Sequence, residues 1–502
     1  MSIEFSKPPT ESGDRVHHAE AAARNAEVAT AAALILRDAL SGARPIDRLL
    51  VRASAGAGKS FVLKRLVEDA VAQQGCARVA VIAFTNNQIC QLATSIGKAL
   101  GAEQVCLFVS AGKVGSVPED ARSNATIATS SRDIPDDVKV VVSTCHKLGV
   151  PRELGRMVEH FGPGCNGESA FDVLFVDEAW QLPHYLFDRV SKAAPTAVGV
   201  GDVGQLSPLE IGTNPWRGDS RYNPYRAWPT EFDDDEDDAT VAVELPSVWR
   251  PAAGHLELWR AFYPEWKELN CVAAPGDRSL VADGLLEPSG SVWRQVGTGV
   301  PTLLEIDGLA DAEAPDIDLP LMAQIEVLID DLLTADFALV AADYDDNGAP
   351  TGSVITRRPG DGSLEPLIVI LATRSQAVDD ATDVVERLRV KHSLSETELI
   401  ASTVDAWQGQ TNGITIAVHP LNGATELDEF NSAFGRLAVT CTRATHGLLM
   451  VCRPGLDELL SQAPPRPGTP FGEPGNRHLP RQTHQRILAA FACGVWSDPR
   501  SG

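Results

Sequence analysis

The residues Ala53-Ser54-Ala55-Gly56-Ala57-Gly58-Lys59-Ser60 place two glycines, a lysine and a hydroxyl in an order that suits one kind of chemistry. An apolar run precedes them at 48–52, and a helical pattern follows at 61–72. Glycines let the backbone bend until successive N–H groups point at one spot, and the helix N-terminus adds partial positive charge there. Strand, glycine-rich turn, Gly-Lys-Ser and helix together form a phosphate-binding loop. In it Lys59 reaches the terminal phosphates of a nucleoside triphosphate and Ser60 ligates Mg²⁺. The loop departs from the general pattern at its first position, where Ala53 replaces a glycine.

A second signal is Phe171-Asp172-Val173-Leu174-Phe175-Val176-Asp177-Glu178, an apolar strand that ends in two carboxylates. By itself such a pair could equally be the cap of the next helix. Beside a phosphate loop it gains a role. Asp177 is expected to contact Mg²⁺, and Glu178 to orient and deprotonate an attacking water.

These groups need a scaffold that brings strand ends together. Apolar runs at 48–52, 78–84, 138–143, 171–176 and 197–200 alternate with helical stretches. Several are continuously apolar, as strands buried on both faces of a parallel sheet are. A second set, at 367–372, 414–418 and 448–452, repeats the pattern. The expected fold is α/β: two tandem RecA-like P-loop domains with parallel sheets. Expected boundaries are a disordered N-terminus at 1–17, a first domain at 18–215 and a linker with an acidic run at 216–240. A second domain follows at 241–460, with an acidic insert at 295–356. A Pro/Gly-rich tail ends the chain at 461–502, with a short last helix expected at 487–496.

Composition sets limits. A chain of 502 residues has room for two or three domains, and 44% apolar with 22% charged residues is ordinary globular usage. No run is long enough to span a bilayer, and 1–15 lacks the apolar core of a signal peptide, so the expectation is a cytoplasmic protein without membrane contact. Nine scattered cysteines without a Cys-x-x-Cys pair point to reduced thiols rather than zinc or disulfides. The net charge of −25 is unusual for a nucleic-acid binder, but a groove binds by its local field. The acidity is also concentrated. Seven carboxylates occupy positions 231–238, and 295–356 contains no Lys, Arg or His. These segments read either as a solvated acidic surface or as a docking site for a basic protein partner.

The chain resembles superfamily 1 helicases in a series of segments that runs in the family's order from Leu49 to Arg453. Asp177-Glu178-Ala179-Trp180-Gln181 is similar to DEAxQ, and Gly201-Asp202-Val203-Gly204-Gln205-Leu206-Ser207-Pro208 to GDxxQLPP. Leu245-Pro246-Ser247-Val248-Trp249-Arg250 resembles L-x-x-x-[YW]-R. Ser402 to Gly409 contains the T-V-D-x-x-Q-G pattern, and Arg436 to Ala444 resembles R-x-x-V-A-x-T-R-A. The subtype leans toward the branch that moves 5′ to 3′.

The resemblance implies an ATPase that translocates on single-stranded DNA or RNA, with ATP and Mg²⁺ between the two domains. It implies that Gln205 senses the γ-phosphate and that Arg250 and Arg443 approach it from the second domain, where a planar guanidinium spreads charge well. Domain closure on ATP would then couple to movement. Nucleotide contacts are implied at Gly56, Ala57, Gly58, Lys59, Ser60 and Phe61, with Trp249 stacking on adenine and Gly409 nearby. Sequence-independent polynucleotide contacts are implied at Thr85, Asn86, Thr144, His146, Arg374 and Trp407. Trp407 either stacks on a base or packs in the core, and His146 either contacts the strand or is a structural histidine.

Two departures stand out. Residues 19–49 hold no Gln to read adenine, and Thr411 stands where the family often has an acidic residue. There is also little room for large inserted domains, and separating each base-pair step costs about 1.4 kcal/mol. Translocation is therefore a firmer expectation than unwinding. Two other readings compete: an ATP-driven regulatory switch acting on a protein partner, and an inactive scaffold, which the presence of Lys59, Asp177, Glu178 and Arg443 disfavours.

Overall fold

The computed structural model describes residues 2–8, 15–204, 223–232, 238–264, 266, 268–314, 316–363, 365–428, 430–463 and 480–497. The strands of the N-terminal half are β1 (Arg48–Ala53), β2 (Val79–Ala83), β3 (Val105–Phe108), β4 (Thr126–Ala128), β5 (Val140–Thr144), β6 (Val173–Asp177), β7 (Thr196–Asp202) and β8 (Thr240–Glu244). They form one parallel sheet in the order β4-β3-β5-β2-β6-β7-β1-β8. Its central strands are buried on both faces, which is why they read as unbroken apolar runs. Leu49 and Val51 face α1 (His18–Leu40) and α2 (Lys59–Val71), while Leu50 faces the opposite layer with Ala80 and Ile82. Each such side chain contributes about 1.5–3 kcal/mol when fully buried.

The remaining strands are β9 (Ser247–Val248), β10 (Asn270–Cys271), β11 (Arg278–Val281), β12 (Thr302–Asp307), β13 (Ala338–Tyr344), β14 (Pro350–Arg357), β15 (Ile368–Ala372), β16 (Leu399–Thr403), β17 (Asn412–Val418), β18 (Ala444–Cys452) and β19 (Ala492–Ser497). A second parallel sheet runs β16-β15-β17-β18-β12-β19. The expected tandem of parallel α/β domains is therefore present. A short parallel pair, β9 with β10, and an antiparallel sheet, β11-β13-β14, complete the topology.

Five boundary expectations change. Thr240–Glu244 does not open the second domain. It pairs with β1 as the last strand of the first sheet, where only one neighbour and partial burial explain its alternating sequence. Trp228, expected in a linker, stacks on Phe187 at 4.1 Å and is fully buried in the first domain. The acidic stretch 295–356 is not one insert. It supplies β12 to the interior of the second sheet and a helix, Leu319–Thr334, whose apolar face fills that domain's core. Of the described strands in this stretch, β13 and β14 stand outside the parallel sheet.

At the chain ends, Ala492–Ser497 is an edge strand on β12 rather than part of a last helix, which ends earlier at Leu488. The start of the chain runs along it: Phe5 bridges Gly494, and Ser6 N donates to Cys493 O at 2.9 Å. Residues 2–8 are thus ordered against the second domain, contrary to the expectation for 1–17. No helix among the described residues is long and apolar enough to cross a membrane.

Candidate active site

The order of the first sheet decides which side chains meet. β1 lies beside β7, and β7 beside β6, all parallel. The phosphate loop after Ala53, the carboxylates at Asp177 and Glu178, and Asp202 therefore emerge at neighbouring carboxyl ends. Such ends are where open α/β sheets bind ligands. Gly56 (φ 74°) and Gly58 (φ 92°) take the left-handed conformations that the loop needs. At Gly56 the reason is also steric, since a Cβ there would stand 2.4 Å from Arg250 Cβ.

Lys59, the first residue of α2, donates to both carboxylate oxygens of Glu178, at 2.7 and 2.9 Å. Glu178 holds φ 51° and ψ 47°, a conformation that costs a non-glycine residue energy and is retained mostly at functional positions. Burial, with repulsion from Glu178, pushes the Asp177 carboxyl up to about 7 against the pull of Lys59. Burial raises Asp202 as well. Ser60 is exposed at the start of α2.

Two arginines close the site. Arg443 is completely buried, and its Nη2 donates to Thr442 Oγ1 at 2.8 Å. Arg250 Nε donates to Thr411 Oγ1 at 3.0 Å and its Nη1 to Thr442 O at 3.2 Å. Burial and the charge of Arg443 pull Arg250 down to about 9. Burial also lowers Arg443, while Asp202, Tyr263 and Glu178 oppose that shift. Thr411, where the family often has an acid, is here the partner of Arg250. Among the described residues, Arg443 Nε, Asp202 Oδ2 and Ser54 Oγ are buried without a hydrogen-bond partner. Buried polar groups left unpaired are uncommon, and here they surround one site.

The Trp249 amide donates to Gly56 O at 2.8 Å, and its indole edge lies 3.9 Å from where a Gly58 Cβ would stand. The ring also packs beside Ala22 and Gly348. Phe61 is 61% exposed on the first turn of α2. Gly409 (φ 79°) turns the chain after β16, two residues before Thr411. Gln205, with Leu206 to Pro208, lies outside the described residues.

The polynucleotide candidates fall on two rims. Thr85 caps α3 (Asn86–Leu100) in a capping box with Gln88, and Thr144 caps the helix Cys145–Leu148. They follow adjacent strands, β2 and β5. His146 is exposed and meets Phe84 edge-on at 5.5 Å. Arg374 and Trp407 follow the adjacent strands β15 and β16. The Arg374 guanidinium lies 4.9 Å from the Phe430 ring. Trp407 packs against the small cluster of Val369, Leu371 and Val404, and its Nε1 donates to Asn412 Oδ1 at 3.0 Å. Of the two readings of Trp407, its geometry supports the packed one.

Sequence reasoning missed several residues. Buried Asn25 on α1 donates to Ala57 O at 2.9 Å and Ser247 O at 2.8 Å and accepts from Ser247 N at 2.9 Å. It ties the phosphate loop to the strand that leads to Arg250. A polar residue on the otherwise apolar buried face of α1 was the available signal. Tyr263 and Trp259, also at the loop, gave no signal at all.

Residues 37–210 match the family described as an AAA domain, a kind of domain found in superfamily 1 helicases. That span contains the phosphate loop, Asp177-Glu178 and Asp202. No curated protein matches the chain. Among solved structures it is similar to the PRRSV helicase, with 14% identity and a TM-score of 0.38 over 85% of this chain and 58% of that one. It is similar to the same degree to the Arterivirus nonstructural protein 10 helicase solved with DNA, with 14% identity and a TM-score of 0.38 over 85% of this chain and 64% of that one. The chain thus spans less than two thirds of the length of these helicases.

Proposed function

We propose that the chain is an ATP-dependent nucleic-acid translocase or helicase of the superfamily 1 type, with hydrolysis between its two domains. One observation carries the reading. Lys59, Arg250 and Arg443 converge with Asp177, Glu178 and Asp202 at a glycine-bent helix N-terminus, where burial raises two of the carboxyls and lowers the two guanidiniums. Lys59, Arg250 and Arg443 would hold the phosphates of a metal–triphosphate and the carboxylates its metal, which would relieve both strains.

The roles follow from the chemistry of the groups. The loop N–H groups of Gly56 to Ser60 and the Lys59 ammonium bind phosphate oxygens. Phosphate competes with Glu178 for Lys59, which frees the Glu178 carboxylate to accept a proton as water attacks the γ-phosphorus and the bond to the β-phosphate oxygen breaks. Ser60 and Asp177 would hold Mg²⁺, whose charge neutralises the phosphates when bound. Arg443 and Arg250 stabilise charge developing on the transferring group. Gln205 is proposed to orient the water, and Trp249 to stack on the base. Thr85, Asn86, Thr144, His146 and Arg374 are proposed to follow the backbone of a single strand.

The test is steady-state ATP hydrolysis by the full chain at low salt, alone and with single-stranded DNA or RNA, with Glu178→Gln as control. Stimulation by one polymer and a silent variant support the proposal. Hydrolysis indifferent to both polymers refutes the motor reading and favours the switch that acts on a protein partner.

A further inference from the structure

Tyr263 lies just past the short helix Leu256–Phe262, outside every segment that resembles a helicase motif. Its hydroxyl donates to Asp202 Oδ1 at 2.7 Å and accepts from the Ala55 amide of the phosphate loop at 3.1 Å. Its phenol is held well above its usual range by burial and by Asp202, so it stays protonated and keeps donating. Asp202 Oδ1 also accepts from Gly204 N at 2.9 Å, which fixes the turn after β7. Gly204 has no room for a side chain, since a Cβ there would stand 2.5 Å from the Tyr263 ring. One turn earlier in the helix, Trp259 Nε1 donates to Ala55 O at 2.9 Å. The helix thus grips both polar groups of the Ala55 backbone.

The other side of this helix faces the second domain. Phe262 meets Phe434 edge-on at 5.5 Å, and Phe434 opens the helix Phe434–Cys441 that leads to Arg443. Arg486 Nε donates to Ala261 O at 2.8 Å.

We propose that Tyr263 is a positioning residue for hydrolysis: it locks Asp202 to the entry of the phosphate loop and, through its helix, links both to the helix that leads to Arg443. This rests on the hydrolytic reading above. Tyr263 touches neither phosphate nor water in that scheme, so its loss should slow the chemical step and leave nucleotide binding largely intact.

The experiment compares kcat and KM for ATP in the wild-type chain and in Tyr263→Phe, which keeps the ring and removes both hydrogen bonds. Partners that orient catalytic groups are typically worth about 10–100-fold. The expected result is a fall in kcat of about tenfold with KM changed less than about threefold. A fall in kcat of less than about fivefold overturns the proposal, as does a loss carried by KM alone. If Tyr263→Phe fails to fold, the same criteria are applied to Trp259→Phe, which loses the bond to Ala55 O together with part of a buried ring. A wild-type chain without hydrolysis overturns the hydrolytic reading together with this proposal, whereas an active wild type with an equally active variant overturns this proposal alone.

Discussion

Replacing Asp177 with Asn tests the electrostatics of the site through stability rather than activity. Burial and Glu178 raise the Asp177 carboxyl from 3.8 to about 7. The folded chain therefore keeps a proton that the unfolded chain releases. The stability this contributes is fully present below about pH 4 and is lost as pH rises through 7. A shift of roughly three units at about 1.4 kcal/mol each puts the loss near 4 kcal/mol at pH 8 and at less than half of that at pH 5. Asn is neutral and similar in shape at both pH values, so it escapes the loss. In thermal unfolding without ligands, Asp177→Asn should melt roughly 4 °C above wild type at pH 8. The gain should shrink by more than half at pH 5, and the same variant should be hydrolytically silent. A variant no more stable than wild type at pH 8, or one with equal gains at both pH values, would refute the claim that Asp177 is held against its ordinary ionisation.

Three further outcomes are expected. Arg443→Ala should lower the polymer-stimulated hydrolysis rate by about 10³-fold, and Arg443→Lys should not restore it, because an ammonium lacks the planar fork; steady-state kinetics on both variants checks this. Gly56→Ala should destabilise the chain by about 1–3 kcal/mol in denaturant titration, because its φ of 74° and the Arg250 Cβ at 2.4 Å both oppose a side chain. Gly112→Ala, which has nothing within 4 Å, is the neutral control. Arg374→Ala should weaken single-strand binding equally across sequences and reduce the slope of log affinity against log salt by about one; titrations at several salt concentrations read this directly.

Much of the site was legible because its chemistry is local. The glycine-rich turn, Lys59 and Ser60 lie within eight consecutive positions, and a buried apolar strand that ends in Asp177-Glu178 announces itself. Local pattern also exposed both sets of parallel strands, since strands covered on two faces are apolar throughout. Edge strands carry a weaker signal. β8 and β19 are each only partly buried, so Thr240–Glu244 and Ala492–Ser497 do not show the continuous apolar runs of the central strands. β12 was hidden by the acidic composition of the residues around it.

What the linear order of residues determined by itself was the pair of α/β domains and the groups proposed to face phosphate, because turn, strand and cap preferences act over a few neighbouring residues. Tertiary structure alone decided the rest. Packing β1 beside β7 and β7 beside β6 set Asp202 next to the loop. Threading the helix Leu256–Phe262 between the domains gave Ala55 its partners in Trp259 and Tyr263. Thr411 became the partner of Arg250 across more than a hundred and fifty positions. Hydrogen bonds of that reach depend on where whole elements pack, and no pattern among neighbouring residues encodes it.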